Sequence, residues 1–111
     1  MPEPPSRIEL SVEKNGPTAV VSIAGEVDPH TAPELEAELG ALLNGAEVST
    51  LVLDLRSLTF IDSSGLRVLV QALKQLDERQ GQLVLRNPNA VTRRLLDVTG
   101  LADHVELEES S

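Results

Sequence analysis

Residues 51–76 read LVLDLRSLTFIDSSGLRVLVQALKQL, and this stretch decides the fold of the chain. The short apolar run at residues 51–55 is bounded by polar residues, which predicts a strand covered on both faces. From Leu66 onward the apolar residues recur at intervals of three and four, which predicts a helix with one buried side. A strand that leads into a helix is typical of an α/β domain. The polar tetrapeptide at residues 62–65 lies between the two elements and is the candidate functional segment.

Upstream of this stretch, the sequence predicts a hairpin of two strands followed by a helix. Apolar and polar residues alternate over residues 7–13, and residues 19–24 resemble a second strand that ends at Gly25. Thr31, with Glu34 three residues later, is typical of a capping box at the start of a helix. The two halves of the hairpin supply an antiparallel component to the sheet.

Downstream, the sequence predicts a strand at residues 83–85, a third helix closed by Gly100, and a short last strand at residues 105–107. The apolar side of the third helix is expected to comprise Val91, Leu95, Leu96 and Val98. The element order is therefore β-β-α-β-α-β-α-(β). It predicts an α/β fold with a four- to five-stranded mixed sheet flanked by helices.

The domain is expected to span residues 7–107, between a flexible leader at residues 1–6 and an acidic tail at residues 108–111. A chain of 111 residues favours a single domain. No apolar run approaches the length of a membrane span, and the N-terminus lacks the pattern of a signal peptide. We therefore expect a cytoplasmic protein, and we expect it to be a monomer.

The composition argues against several classes of function. A formal net charge of −9 disfavours binding to nucleic acid or to an anionic membrane, so neither is expected as a partner. The absence of cysteine excludes thiol chemistry and thiolate metal sites. His30 and His104 lie far apart and form no metal-binding signature, so no metal is expected.

Two loops are candidates for the functional site, because functional groups in open α/β sheets gather where parallel strands end. They comprise residues 25–30 and residues 59–64. If the preceding strands are parallel, both loops lie at one edge of the domain. The predicted partner-binding patch comprises Asp28, Asp62, Ser63, Ser64 and Gly65.

Ser64 is the residue in this patch whose modification would change the surface most. It is predicted to lie in the first turn of a helix, where backbone N–H groups lack intrahelical partners and the dipole favours negative charge. A phosphate there would add about −1.5 to −2 charges beside Asp28 and Asp62. Gly65 is expected to leave the hydroxyl uncrowded, and Phe60 is expected to pack in the core below. The alternative is that Asp62 or Ser63 caps the helix and Ser64 has no special role.

Three blocks of the sequence resemble the STAS domain of bacterial anti-sigma factor antagonists. They are GEVD at residues 25–28, LDL-x4-FIDSSGL at residues 53–66, and RLL-x3-GL at residues 94–101. The resemblance extends over nearly the whole chain. It implies that Ser64 is the phosphorylated residue and that Asp28 and Asp62 are its acidic neighbours in the partner-binding patch.

The resemblance also implies a mechanism of partner switching. The unphosphorylated antagonist would bind an anti-sigma factor that is also a serine kinase, and this binding would free a sigma factor. Phosphorylation by the kinase would separate the complex, and a PP2C-type phosphatase would reverse the modification. ATP would belong to the kinase and the metal ion to the phosphatase, so this chain is expected to need no cofactor.

Three other functions compete with this interpretation. A hydrolase could combine Ser64 with His30 and Asp28, but the sequence lacks the Gly-x-Ser-x-Gly elbow. Nucleotide binding would call for a glycine-rich phosphate motif, which is absent. A STAS module of another assembly, such as a stress-signalling scaffold or a lipid-transport complex, remains the principal alternative. No catalytic activity is expected.

Overall fold

Six strands and three helices run through residues 8–45 and 47–109, the part of the chain that the computed structural model describes. The strands are β1 (Ile8–Asn15), β2 (Thr18–Val27), β3 (Thr50–Asp54), β4 (Leu58–Ile61), β5 (Gln82–Arg86) and β6 (Glu106–Glu108). The helices are α1 (Ala32–Leu43), α2 (Ser63–Asp77) and α3 (Ala90–Thr99), and a 3₁₀ turn at Leu101–Asp103 follows α3. The leader predicted for residues 1–6 lies outside the described residues.

The strands form one mixed sheet in the order β1-β2-β3-β5-β6, and β4 pairs with β2 beside this path. β1 and β2 are antiparallel, as the predicted hairpin requires, and the other pairings are parallel. The predicted α/β fold class is confirmed. Across the described residues the sheet contains six strands instead of four or five. The additional strand is β4, which falls where the sequence predicts a loop.

β4 escapes prediction because a β-bulge interrupts the alternation of its side chains. Leu58 pairs with Gly25 whereas Phe60 pairs with Glu26, so Thr59 is an extra residue on β4. The two end residues of β4 are buried and the two middle residues are exposed. A segment of four residues without a period of two gives no strand signal in the sequence.

β2 continues beyond its predicted end at Gly25 and reaches Val27. Gly25 adopts a φ of +104°, a conformation that is accessible to glycine and strained for other residues. Its N–H donates a hydrogen bond of 3.0 Å to the carbonyl of Ser57. The strand then continues by pairing with β4. The loop that leads into α1 therefore begins at Asp28.

A single core joins the helices to one face of the sheet. Alternate residues of β2, β3 and β5 point into this core, and apolar residues of α1 and α2 at helical spacing cover them. The principal strand residues in the core are Val21, Ile23, Leu51, Leu53, Leu83 and Leu85. The principal helix residues are Leu35, Leu39, Leu43, Val68, Leu69, Ala72, Leu73 and Leu76. This packing brings the N-termini of α1 and α2 to the edge of the sheet where β2 and β4 end.

α3 presents a different side to the core from the one predicted. Val91 and Val98 are 76% and 74% exposed, whereas Thr92 and Leu96 are buried. The side chain of Asn89 explains the difference, because it accepts from the Thr92 N–H at 2.8 Å and donates to the carbonyl of Leu58 at 3.1 Å. These two bonds fix the rotation of the helix start against β4. The prediction that Val91 and Val98 line the core is therefore wrong.

The C-terminal strand is held by charged side chains. β6 ends at Glu108, which lies in the segment predicted to be a frayed tail. Glu108 Oε1 lies 2.8 Å from Arg86 Nε, and Glu109 Oε1 lies 2.7 Å from Arg93 Nη1. The last strand is also shifted from the predicted residues 105–107. Glu108 is the register partner of Arg86 on β5, and the same arginine forms an ion pair with its side chain.

Candidate partner-binding site

The two predicted loops lie side by side because β2 and β4 are parallel neighbours. Val27 and Ile61 are register partners, and the Asp62 N–H donates to the carbonyl of Val27 at 3.2 Å. Asp28 and Asp62 therefore follow equivalent positions on two adjacent strands. Each loop then enters a helix, so both helix N-termini lie at the same edge. The sequence prediction that these loops share an edge agrees with this geometry.

Asp62 is the N-cap of α2. Its Oδ1 accepts hydrogen bonds from the N–H groups of Ser64 at 2.9 Å and of Gly65 at 3.4 Å. Two of the first-turn amides that were expected to be free for a phosphate are therefore engaged by this carboxylate. A phosphate on Ser64 would retain the favourable helix dipole but would also meet the charge of Asp62. The two contributions oppose each other, so their net effect on folding is expected to be small.

Asp28 organises the other loop through the backbone. Its Oδ1 accepts from the N–H groups of His30 at 2.9 Å and of Thr31 at 3.0 Å. The Thr31 hydroxyl donates to the carbonyl of Glu26 at 2.7 Å and accepts from the Asp28 N–H at 3.0 Å. Thr31 makes no capping bond within α1, so the predicted capping box is wrong. The side chain instead fastens the loop to the end of β2.

Thr31→Val is expected to lower the free energy of unfolding by about 1–3 kcal/mol. Thr31 is 3% exposed, and valine would keep its shape while removing the hydroxyl that bonds the part-buried carbonyl of Glu26 and N–H of Asp28. Thermal or urea denaturation measures this loss. Thr59→Val is the matched control, because the Thr59 hydroxyl also donates to a carbonyl but is exposed to water. If Thr31→Val lowers the free energy of unfolding no more than Thr59→Val does, the bonds of the buried Thr31 hydroxyl do not stabilise the loop.

The two serines differ in exposure. Ser63 is exposed, and Ser64 is partly buried at the second position of α2. Within residues 8–45 and 47–109 no hydrogen bond occupies the Ser64 hydroxyl. Ser64 borders a shallow depression of about 280 Å³ between the starts of α1 and α2. The depression is lined by Pro29, Ala32, Pro33, Glu36, Ser64, Arg67 and Val68.

Arg67 was not predicted as part of this site. It lies three residues after Ser64 on α2, is exposed, and shares the depression with it. Residues three apart on a helix are neighbours on its surface, and this spacing is the signal by which the sequence identifies the pair. Arg67 is thus a cation beside the candidate phosphorylation site in a patch that is otherwise acidic.

Gly65 allows close packing of α2, whereas the sequence predicts that it leaves the Ser64 hydroxyl uncrowded. It is buried, and a Cβ added there would lie 2.5 Å from Ile61 Cγ1 and 2.8 Å from Val27 Cγ1. The absence of a side chain therefore lets the start of α2 approach the ends of β2 and β4. Its contribution to the patch is indirect, through the position of the helix that carries Ser64.

Phe60 is 46% exposed, so the prediction that it packs in the core is wrong. The bulge on β4 is the cause, because the extra residue Thr59 turns Phe60 away from the buried side that Leu58 occupies. The ring lies on the same side of the sheet as Glu26, its register partner. An exposed aromatic side chain therefore immediately precedes the loop that contains Asp62 and Ser64.

His30, the histidine of the competing hydrolase interpretation, is not among the residues that line the depression at Ser64. Its recorded bond to Asp28 involves its backbone N–H. No cluster of metal-ligating side chains occurs among the described residues. None of the helices in residues 8–45 and 47–109 has the length and apolar content needed to cross a membrane.

The comparisons with known proteins agree with this geometry. Residues 9–111 match the STAS domain family. The anti-sigma-B factor antagonist of Listeria monocytogenes is 38% identical over 88 residues, which cover 79% of this chain and 76% of that protein. The anti-sigma-B factor antagonist of Bacillus subtilis is 35% identical over 105 residues, which cover 94% of each chain.

Among solved structures, an anti-sigma factor antagonist from Mycobacterium paratuberculosis is 34% identical and has a TM-score of 0.81. The match covers 91% of this chain and 85% of that one. These similarities extend over most of each protein, and residues 9–111, which the family model matches, include the elements that form the candidate site. The resemblance identified from the sequence is confirmed, and this chain belongs to the STAS domain family, together with bacterial anti-sigma factor antagonists.

Proposed function

We propose that this chain is an anti-sigma factor antagonist whose binding is controlled by phosphorylation of Ser64. In its unphosphorylated form it binds an anti-sigma factor that is also a serine kinase, and a sigma factor is thereby freed. The observation that carries the proposal is the position of Ser64, a partly exposed residue whose hydroxyl makes no hydrogen bond within the described part of the chain and which lies in a patch with Asp28 and Asp62. The names of the relatives from Listeria and Bacillus favour this role over a module of another assembly.

The physical basis of the switch is the cost of covering a dianion with protein. A phosphate adds about −1.5 to −2 charges and must lose water when a partner docks on the patch. Asp62, which already directs its carboxylate at the α2 amides, repels the added charge. Arg67, which is exposed in the same depression, offsets part of this charge in the free chain. The fold is therefore retained, while the docked state loses stability.

The proposed role is binding, and the chain has no catalytic activity of its own. The kinase partner brings ATP, and a PP2C-type phosphatase with its own metal ion removes the phosphate. The residues proposed to contact the partner are Asp28, Asp62, Ser63 and Ser64, with Gly65 acting from beneath the surface. The net charge of −9 favours a partner with a basic or mixed face.

Affinity capture from the host lysate, followed by phosphorylation of the captured complex with ATP, tests this function. We expect an anti-sigma factor kinase among the captured proteins and one phosphate per chain, located by mass spectrometry at Ser64. The Ser64→Ala variant should remain unlabelled, whereas Ser63→Ala should be labelled like the parent chain. Labelling of Ser64→Ala at the parent rate would reject the site. Capture of transporter subunits or scaffold proteins in place of a kinase would favour the alternative assembly.

A further inference from the structure

We propose that Phe60 is the apolar anchor through which this chain binds the anti-sigma factor, and that its ring enters an apolar pocket with a basic rim. The inference rests on the proposed function. It identifies the contact that supplies much of the affinity of this chain for the anti-sigma factor. Phe60 is the one phenylalanine of the chain, which contains neither tyrosine nor tryptophan. Aromatic side chains near the centre of an interface contribute a disproportionate share of binding energy.

The exposure of Phe60 results from a specific feature of the backbone. The bulge at Thr59 turns the Phe60 ring outward, and Ile61 then returns to the core beside Val27. Without the extra residue, the alternation along β4 would direct position 60 to the buried side with Leu58. Bulges near functional sites commonly redirect a side chain in this way. The fold therefore exposes a large apolar ring that a regular strand would bury.

The location of Phe60 connects it to the proposed interface. It precedes the α2 cap Asp62 by two residues and Ser64 by four, on the strand that leads directly into the patch. The other large apolar side chains recorded as exposed are Val12, Val91 and Val98, which lie on β1 and α3. Phe60 is thus the one of these four that adjoins the site of modification.

The charges around the ring define the chemistry of the partner. Asp28 and Asp62 follow the ends of β2 and of β4, the strand that carries Phe60. An apolar ring with acidic neighbours is complementary to an apolar pocket with a basic rim. A phosphate on Ser64 would add a dianion four residues along the chain from this apolar contact.

Isothermal titration of the captured and purified anti-sigma factor tests this contact. Phe60→Ala is expected to weaken binding by about a hundredfold, because it removes an interface anchor. Its melting temperature should change little, because Phe60 is 46% exposed and is not part of the core cluster. Val98→Ala is the matched control, since Val98 is an exposed apolar residue distant along the chain from the patch, and its affinity should equal that of the parent.

Fluorescence gives an independent measure of burial at this position. The chain has no tryptophan, so Phe60→Trp introduces one reporter, and subtraction of the parent complex removes the partner's own signal. We expect a blue shift and reduced acrylamide quenching on binding, and neither change for Val98→Trp.

Affinity within threefold of the parent for Phe60→Ala would overturn the inference, even if Ser64→Asp still failed to bind. Loss of self-association in Phe60→Ala, measured by sedimentation with affinity for the anti-sigma factor intact, would assign the ring to a second copy of the chain and would also overturn it. Failure of the unphosphorylated parent to bind any anti-sigma factor would instead reject the proposed function, and the anchor with it.

Discussion

Ser64→Asp is expected to weaken binding to the anti-sigma factor by more than a hundredfold, which corresponds to a loss of about 3 kcal/mol. The introduced carboxylate lies at the second position of α2, beside the cap Asp62. Docking would bring this additional charge under the partner, where losing its water is costly. Titration calorimetry with the purified anti-sigma factor measures the change.

Two controls separate the effect of charge from an effect on folding. Ser64→Ala should bind persistently, because it keeps the surface neutral and cannot be modified. Val98→Asp should bind within a few-fold of the parent chain, because Val98 is an exposed residue of α3, distant along the chain from the patch. Thermal melting should show that Ser64→Asp stays within about 1 kcal/mol of the parent, the usual size of a helix-dipole contribution. Equal weakening by Ser64→Asp and Val98→Asp would mean that only the net charge of the chain matters, and not the position of Ser64.

Gly65→Ala is expected to destabilise the chain by about 2 kcal/mol. The new Cβ would lie 2.5 and 2.9 Å from Ile61 side-chain atoms and 2.8 Å from a Val27 side-chain atom, all closer than packed carbons allow. Overpacking of this kind costs about 1–3 kcal/mol, and only part is offset by the higher helix propensity of alanine. Urea denaturation gives the free energy of unfolding, and an unchanged slope would show that the unfolded state is unaffected.

Gly40→Ala is a control of identical chemistry. Gly40 lies within α1, and no atom is recorded within 4 Å of the position that its Cβ would take. This substitution should stabilise the chain by about 0.5–1 kcal/mol through helix propensity alone. The two variants are therefore expected to shift stability in opposite directions. A stabilising Gly65→Ala would mean that the start of α2 can move without cost, and that Gly65 does not fix the position of Ser64.

Most of the fold follows from periodicity in the sequence. The helical spacing in α1 and α2 and the apolar runs of β3 and β5 predict the elements that contribute most of the core. β4 was not predictable in this way, because its bulge is a tertiary feature created by pairing with β2. The buried side of α3 also depended on a tertiary contact, the bond from Asn89 to the carbonyl of Leu58.

The candidate site was predictable in its location but not in its details. Parallel strands followed by polar loops predict that Asp28, Asp62 and Ser64 gather at one edge. Which side chains cap the helices was not predictable, because Thr31 has a stronger partner in the carbonyl of Glu26 than in its own helix. The exposure of Phe60 was predicted wrongly for the same reason as β4, since an apolar residue after a strand is normally buried.

An affinity measurement on the chain phosphorylated at Ser64 bears on the whole proposal. Calorimetry with the anti-sigma factor should compare three samples: the unmodified chain, the chain with one phosphate confirmed at Ser64, and the same chain after phosphatase treatment. We expect the dissociation constant to rise more than a hundredfold on phosphorylation and to recover on treatment, while the melting temperature and far-UV circular dichroism stay nearly unchanged. Equal affinity of the modified and unmodified chains would contradict the proposed switch, and a large fall in melting temperature would mean that the phosphate acts by unfolding the domain.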